Sequence, residues 1–158
     1  MEILITNQQK KILLPPAAIL KITRRILKSA GVRRGSLSLV FVTDDIIKKL
    51  NRRFLGRSYA TDVLAFDLGE PTVTKKLRRS RTKRISLTGE IVISITTAFR
   101  QAKIYKTSPY EEVILYIVHG ILHLLGYDDH ASRDTRLMRK KEQELLAVIR
   151  PLLKKARR

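Results

Sequence analysis

Hydrophobic positions along the chain change their period several times, and each change marks an element. Residues 2–5 are apolar enough for a short strand. After Pro15 and Pro16, Ile19, Ile22, Ile26 and Leu27 fall on one face of a helix predicted over 17–30, which Gly31 stops. Residues 36–42 read as a strand that hands directly to a helix. Thr43 is its expected N-cap, Asp44 and Asp45 suit its first turn, and Ile46, Ile47, Leu50 and Phe54 follow at helical spacing as far as Gly56. Two more strands are predicted over 62–68 and 90–95. A helix after Thr96 carries Ala98, Phe99, Ala102 and Ile104.

Ser108, Pro109 and Glu111 form a capping box with proline in the first turn, opening a helix that is apolar on every side through Leu125. Such a helix belongs at the centre of the core. Gly126 supplies its stop, and Ser132 is expected to cap a basic amphipathic last helix running through Leu146 and interrupted at Pro151, leaving 151–158 as a basic tail. No internal repeat or second core is visible. The pattern predicts an α+β class, a single domain over 1–158 with a small mixed sheet of about four strands flanked by about five helices.

Charge narrows the choice of partners. Thirty-three Lys and Arg against fourteen Asp and Glu give a formal charge of +19, which makes polyanions the expected ligands and predicts salt-dependent binding. The excess of basic residues also has a plainer account as solubilising charge. With four Phe, five Tyr and no Trp, no aromatic-rich stacking stripe stands out, so charge and groove shape are expected to carry most affinity. Residues 75–84, including Lys75, Lys76, Arg78, Arg79 and Arg81, hold no acid and are predicted to form a loop between strands. That loop is either an arm for a polyanion or a tolerated solvated insertion. The polar N-terminus and the absence of an apolar run near the ~18 residues of a membrane span predict a soluble, cytoplasmic protein without a membrane partner.

Without cysteine, any transition-metal site must use His, Asp, Glu and water. All three histidines lie in the stretch VHGILHLLGYDDH. His119 and His123 are four apart and share one helix face, and the break at Gly126 lets His130 return toward them as a third ligand. Three imidazoles and a water suit one catalytic zinc per chain, whose bound water would ionise near pH ~7. Nickel, copper and iron accept the same donors. The spacing matches metalloproteases with H-E-x-x-H except that Gly120 stands where their general base does, which disfavours peptide hydrolysis by that route. Asp128 and Asp129 are candidates to orient a histidine, to act as base, or simply to shape a turn.

These residues also carry a family resemblance. The sequence HGILHLLGYDDH resembles the signature H-G-x-L-H-L-x-G-Y-D-H of the bacterial YbeY proteins, metal-dependent endoribonucleases of ribosomal RNA maturation, with one inserted Asp. TDVLAF at 61–66 and GEIVIS at 89–94, followed by Ala98, Gln101 and Ala102, extend the likeness over nearly the whole chain. The resemblance implies zinc on His119, His123 and His130 and single-strand cleavage in 3′-end maturation of 16S rRNA and in ribosome quality control. It also implies the small ribosomal subunit and assembly factors as partners, and a cleft lined by Thr61 and Asp62. A basic residue common in that family aligns with Leu55, so Arg52, Arg53 or Arg57 would replace it at the RNA phosphates. Ala65 lacks the family's usual serine hydroxyl, and Asp67 stands where proline is common.

The function expected is a zinc-dependent, single-strand-specific endoribonuclease whose attacking oxygen comes from water or from the substrate 2′-hydroxyl. An RNA-binding assembly factor with a mainly structural metal is the alternative of another class. A hydrolase of peptides or small molecules fits the missing Glu and the charge poorly.

Overall fold

Three strands of parallel ladder are the frame on which the rest is hung. In the computed structural model, which describes residues 1–69 and 85–156, the strands are β1 (Glu2–Asn7), β2 (Val32–Val42), β3 (Val63–Asp67) and β4 (Ile85–Ser94). They form one mixed sheet in the order β1-β2-β4-β3, with β1 and β4 parallel to β2 and β3 antiparallel to β4 at an edge. The helices are α1 (Pro16–Ser29), α2 (Asp44–Leu55), α3 (Ile95–Tyr105), α4 (Pro109–Leu124) and α5 (Ser132–Ala156). The fold is a single small α+β domain, as its patterning predicts.

Alternation along the strands builds two cores. Leu37, Leu39 and Phe41 of β2 and Leu87, Ile91 and Ile93 of β4 face a large core closed by α1, α4 and α5. Val42, Leu64 and Val92 point the other way, onto Ile47 of α2. Burial of α4 is nearly complete, from Val113 to Leu124, which is why its sequence is apolar all round. Among the described residues no helix is long and apolar enough to cross a membrane.

Several boundaries differ from the sequence pattern, each for a physical reason. β2 begins at Val32 rather than 36, because backbone pairing from Val32↔Ile85 onward extends the ladder through Arg33, Arg34 and Gly35, which show no apolar alternation; β4 begins at Ile85 rather than 90, where Ile85 and Leu87 already alternate with Ser86 and Thr88 ahead of Gly89. A register shift between Val32 and Arg34 is accommodated beside Gly35, where a Cβ would lie 1.9 Å from the Leu87 carbonyl oxygen. The last helix does not stop at Pro151. It runs on to Ala156, held by apolar contacts of Ile149, Leu152 and Leu153 with the core that offset the missing N–H. It also starts at Ser132 itself rather than being capped there.

Two expected inward positions, Phe54 and Ile104, are 56% and 62% exposed. The capping box of α4 is present, with Glu111 N–H donating to Ser108 Oγ at 3.2 Å and Ser108 N–H to Glu111 Oε2 at 2.9 Å. Thr43 occupies the N-cap position of α2 without a side-chain bond, and the Asp44 N–H instead donates to Thr96 Oγ1 at 3.4 Å. The Asp44 carboxylate accepts from Ser94 Oγ, Thr97 Oγ1 and Arg100, joining the starts of α2 and α3. Residues 75–84, the predicted basic loop with Lys75, Lys76, Arg78, Arg79 and Arg81, lie outside the described residues.

Gly120 decides how closely α4 lies on the sheet. A Cβ there would meet Ile91 Cγ2 at 2.7 Å, and one on Gly89 would meet both Leu124 Cδ1 and the Phe66 carbonyl oxygen at 2.8 Å. The position that bears a catalytic Glu in H-E-x-x-H proteins therefore faces a dry sheet here. Gly120→Glu is expected to lower the unfolding free energy by more than about 3 kcal/mol in urea denaturation, through overpacking and a buried carboxylate. Asp44→Ala leaves two hydroxyls without their acceptor and should cost about 1–3 kcal/mol at neutral pH. Burial opposes charge on Asp44, but its bonds to Ser94, Thr97 and Arg100 outweigh burial and lower its pKa. Its stabilisation is thus present above the ordinary value of 3.8 and lost as pH falls through the lower folded value, so the variant's deficit should shrink in acid unfolding.

Candidate metal centre

Helical spacing, a helix cap and a distant acid converge on two imidazoles. His119 and His123 lie one turn apart on α4, and their Nε2 atoms are 3.0 Å from each other. Their rings meet nearly edge to face, with an interplanar angle of 81°. Each Nδ1 is engaged elsewhere. His119 Nδ1 lies 3.1 Å from Glu142 Oε2 of α5, and His123 Nδ1 lies 3.2 Å from the Tyr127 carbonyl oxygen.

The second of these bonds is made by the helix stop. Gly126 adopts φ 88°, Gly126 N–H donates to the His123 carbonyl at 2.9 Å, and Tyr127 N–H donates to the Leu122 carbonyl at 3.0 Å. This is a Schellman turn, and it swings the Tyr127 carbonyl onto the ring it serves.

Both outer partners accept only, so each Nδ1 carries a proton and each Nε2 presents a lone pair. Two lone pairs at 3.0 Å repel unless a cation lies between them. Burial works against charge on His119, but the hydrogen bond and charge of Glu142, aided by Asp62 and Asp129, outweigh it and raise the pKa. Burial lowers the pKa of His123, and the charge on His119 lowers it further. A shared proton meets the need in acid; a divalent metal meets it with both rings neutral.

The loop after α4 divides its two acids between two tasks. Asp128 Oδ1 accepts the N–H of Asp129 at 2.7 Å and of His130 at 3.2 Å, and lies 3.4 Å from His130 Nε2. It shapes the turn. Asp129, exposed like its neighbours, instead brings its carboxylate toward the two imidazoles, and that carboxylate and the two histidine nitrogens all lie within 4.8 Å of one another. His130 stands at the surface, 82% exposed, and shares a second group with Asp128 and Asp129 on the same scale. The structure thus unites His119, His123 and Asp129, with His130 one donor further out. Imidazole and carboxylate donors suit zinc and other divalent transition metals.

Two cavities of about 570 Å³ each flank His119 and share Asp62, His119 and Asp129 in their walls. One runs along the edge strand β3 between Thr61 and Asp67 and is closed by Arg57, Leu55 and Tyr127. Thr61 and Asp62 therefore line the cleft, and Asp62 Oδ1 is held by Thr61 Oγ1 at 3.1 Å and Val63 N–H at 2.8 Å. Arg52 and Arg53 are exposed on the last turn of α2, just before this wall. The other cavity is acidic, with Glu112 and Glu142 beside Tyr116. The Tyr116 hydroxyl is buried beside Glu112, and burial together with the nearby charges of Asp62 and Glu112 raises its pKa.

Glu142 is the functional side chain that reading the sequence missed. Its signal was present, since it lies among Met138, Leu145 and Ile149 on the buried stripe of a helix otherwise crowded with bases. An acid in an apolar seam is there to bond something.

Residues 4–150 match the protein family described as endoribonuclease YbeY. The chain is 36% identical to the endoribonuclease YbeY of Syntrophus aciditrophicus, with 94% of this chain and 90% of that protein covered. It is 38% identical to that of Pelotomaculum thermopropionicum, over 92% of this chain and 95% of the other. A solution structure of a Thermotoga maritima protein shares the fold, with a TM-score of 0.65 at 22% identity over 97% of this chain and 93% of that one.

Glu142→Gln removes the charge that holds His119 in place and keeps its shape. Affinity for zinc, measured by competition with a chromogenic chelator, should fall about 10–100-fold. Because the pKa of His119 is raised, zinc must displace its proton, so wild-type affinity should weaken as pH falls through that raised value. The variant should show this weakening at lower pH.

Proposed function

We propose, from the premise that this chain belongs to the endoribonuclease YbeY family, that it is a zinc-dependent endoribonuclease cutting single-stranded RNA. Its substrate in this reading is 16S rRNA, cut in 3′-end maturation and ribosome quality control in the cytoplasm, on the small subunit and beside assembly factors. The single observation that carries the proposal is the pair of Nε2 atoms aimed at one point, each with its Nδ1 already bonded.

His119, His123 and His130 are the ligand set, one zinc per chain, with Asp129 completing the inner wall of the site. When bound, the metal supplies a Lewis acid that lowers the pKa of an attacking oxygen and draws charge from the phosphate. The chain's own residues do the rest. Arg57 on the cleft wall, with Arg52 and Arg53 near it, takes the phosphate charge, since a guanidinium pairs with two phosphate oxygens at once. The Asp129 carboxylate is placed to receive the proton of the attacking oxygen, and Asp128 holds the turn that presents it. Edge strand β3 and Tyr127 bound the cleft and limit what can lie in it. The basic residues of segments 75–84 and 151–158 add to the net positive charge that attracts the polyanion.

The test joins metal content to cleavage. Wild type should hold about one zinc per chain by elemental analysis and cut a single-stranded rRNA fragment, and His119→Ala/His123→Ala should do neither. A variant without zinc that cuts equally well would place the activity elsewhere and leave an assembly factor. His130→Ala should cost more zinc affinity than Asp129→Ala; the reverse order makes Asp129 the third ligand.

A further inference from the structure

The eight residues that end α2 and follow it expose more apolar surface than a solvated loop needs. Phe54 and Tyr59 each keep 56% of their surface open, and Leu55 keeps 53%. They are interleaved with Arg52, Arg53 and Arg57, all exposed, and no acid occurs between Asp45 and Asp62. We propose that Phe54 and Tyr59 are a stacking platform for the bases of a single-stranded RNA whose backbone is held by the neighbouring arginines. This rests on the nuclease reading above and adds to it the residues that select unpaired RNA.

The platform is built rather than incidental. Gly56 takes φ 66° and turns the chain out of the helix, and Asn51, 1% exposed, donates through Nδ2 to the Tyr59 carbonyl at 2.9 Å. That bond draws the far end of the loop back against the helix and fixes where Tyr59 sits. The Phe54 ring meets Phe66 edge to face at 5.2 Å between centroids, and the Arg53 guanidinium lies 5.5 Å from the Phe54 centroid. Phe66 in turn lines the cleft that holds His119 and His123. The Phe54 ring is thus joined by contact to the wall of the candidate metal centre, and Tyr59 follows it on the same segment.

The surroundings choose the partner. An apolar patch interleaved along the chain with three exposed arginines repels basic surfaces and favours a partner that combines negative charge with flat apolar faces. Bases carry a π face and a phosphate at a fixed repeat, which is what alternating rings and guanidinium groups match. In a duplex those faces are covered by neighbouring bases, so the platform can engage unpaired nucleotides only. Ring contact tolerates any base and favours purines, which have the larger face.

Binding separates this inference from the one it rests on. Labelled 2′-O-methyl oligoadenylate, oligouridylate and an abasic oligomer of equal length are titrated onto the full chain by fluorescence anisotropy, with probe integrity checked afterwards on a gel. Wild type should bind oligoadenylate most tightly and the abasic oligomer least. Phe54→Ala/Tyr59→Ala should weaken oligoadenylate binding by about tenfold or more and leave the abasic affinity and the salt slope unchanged. Phe54→Tyr/Tyr59→Phe, which keeps both rings, should bind as wild type and shows that loss in the alanine pair is not misfolding. If wild type binds bases no better than abasic backbone, or the alanine pair loses all three probes equally, the platform is wrong and the RNA reading stands. If wild type binds none of the three, both fall.

Discussion

Close approach of one helix to the sheet is the constraint on which the rest depends. α4 lies so near β4 that Gly120 has no room for a Cβ beside Ile91, and Gly89 has none beside Leu124. With one face of α4 committed to the sheet, the face that bears His119 and His123 is directed along the edge strand β3 and toward α5. A bulkier residue at either glycine would lift the helix and carry the imidazoles away from Glu142 and from the cleft. Packing therefore sets the site before any chemistry does.

The two histidines are held by unlike partners, and the difference has a consequence. A carboxylate stabilises charge on His119, whereas a backbone carbonyl does much less for half-buried His123. One ring is the natural home for a proton and the other stays neutral. The same Schellman turn that ends α4 supplies the carbonyl, so the helix stop and the candidate metal centre are one piece of structure. A cap of this kind cannot vary without moving a ring.

Charge is divided in the same economical way. The surface is overwhelmingly basic, with a formal charge of +19, yet acids gather around His119 in Asp62, Glu112, Asp129 and Glu142. The outer field attracts a polyanion from a distance, and the inner carboxylates favour a cation at the histidines. Arg57 stands where the two regimes meet, in the cleft wall, with the exposed rings of Phe54 and Tyr59 on the outer side of the same segment.

Sequence alone determined the class of fold, the central helix and its capping box, and the two-histidine face of α4, because each follows from local periodicity or a short motif. It also excluded thiolate ligands, from the absence of Cys, and disfavoured the H-E-x-x-H route, from the presence of Gly120. The early start of β2 and the passage of α5 through Pro151 were hidden, since they depend on cross-strand pairing and core contacts that leave no local period, whereas the alternation of Ile85 and Leu87 ahead of Gly89 was legible at the start of β4. Only the tertiary structure decided that Asp128 shapes the turn while Asp129 faces the imidazoles, because adjacent identical residues differ only in where the backbone sends them. Likewise Glu142, twenty-three positions beyond His119, became its partner only when α5 packed against α4. Periodicity is a property of neighbours along the chain, whereas a site is a property of neighbours in space.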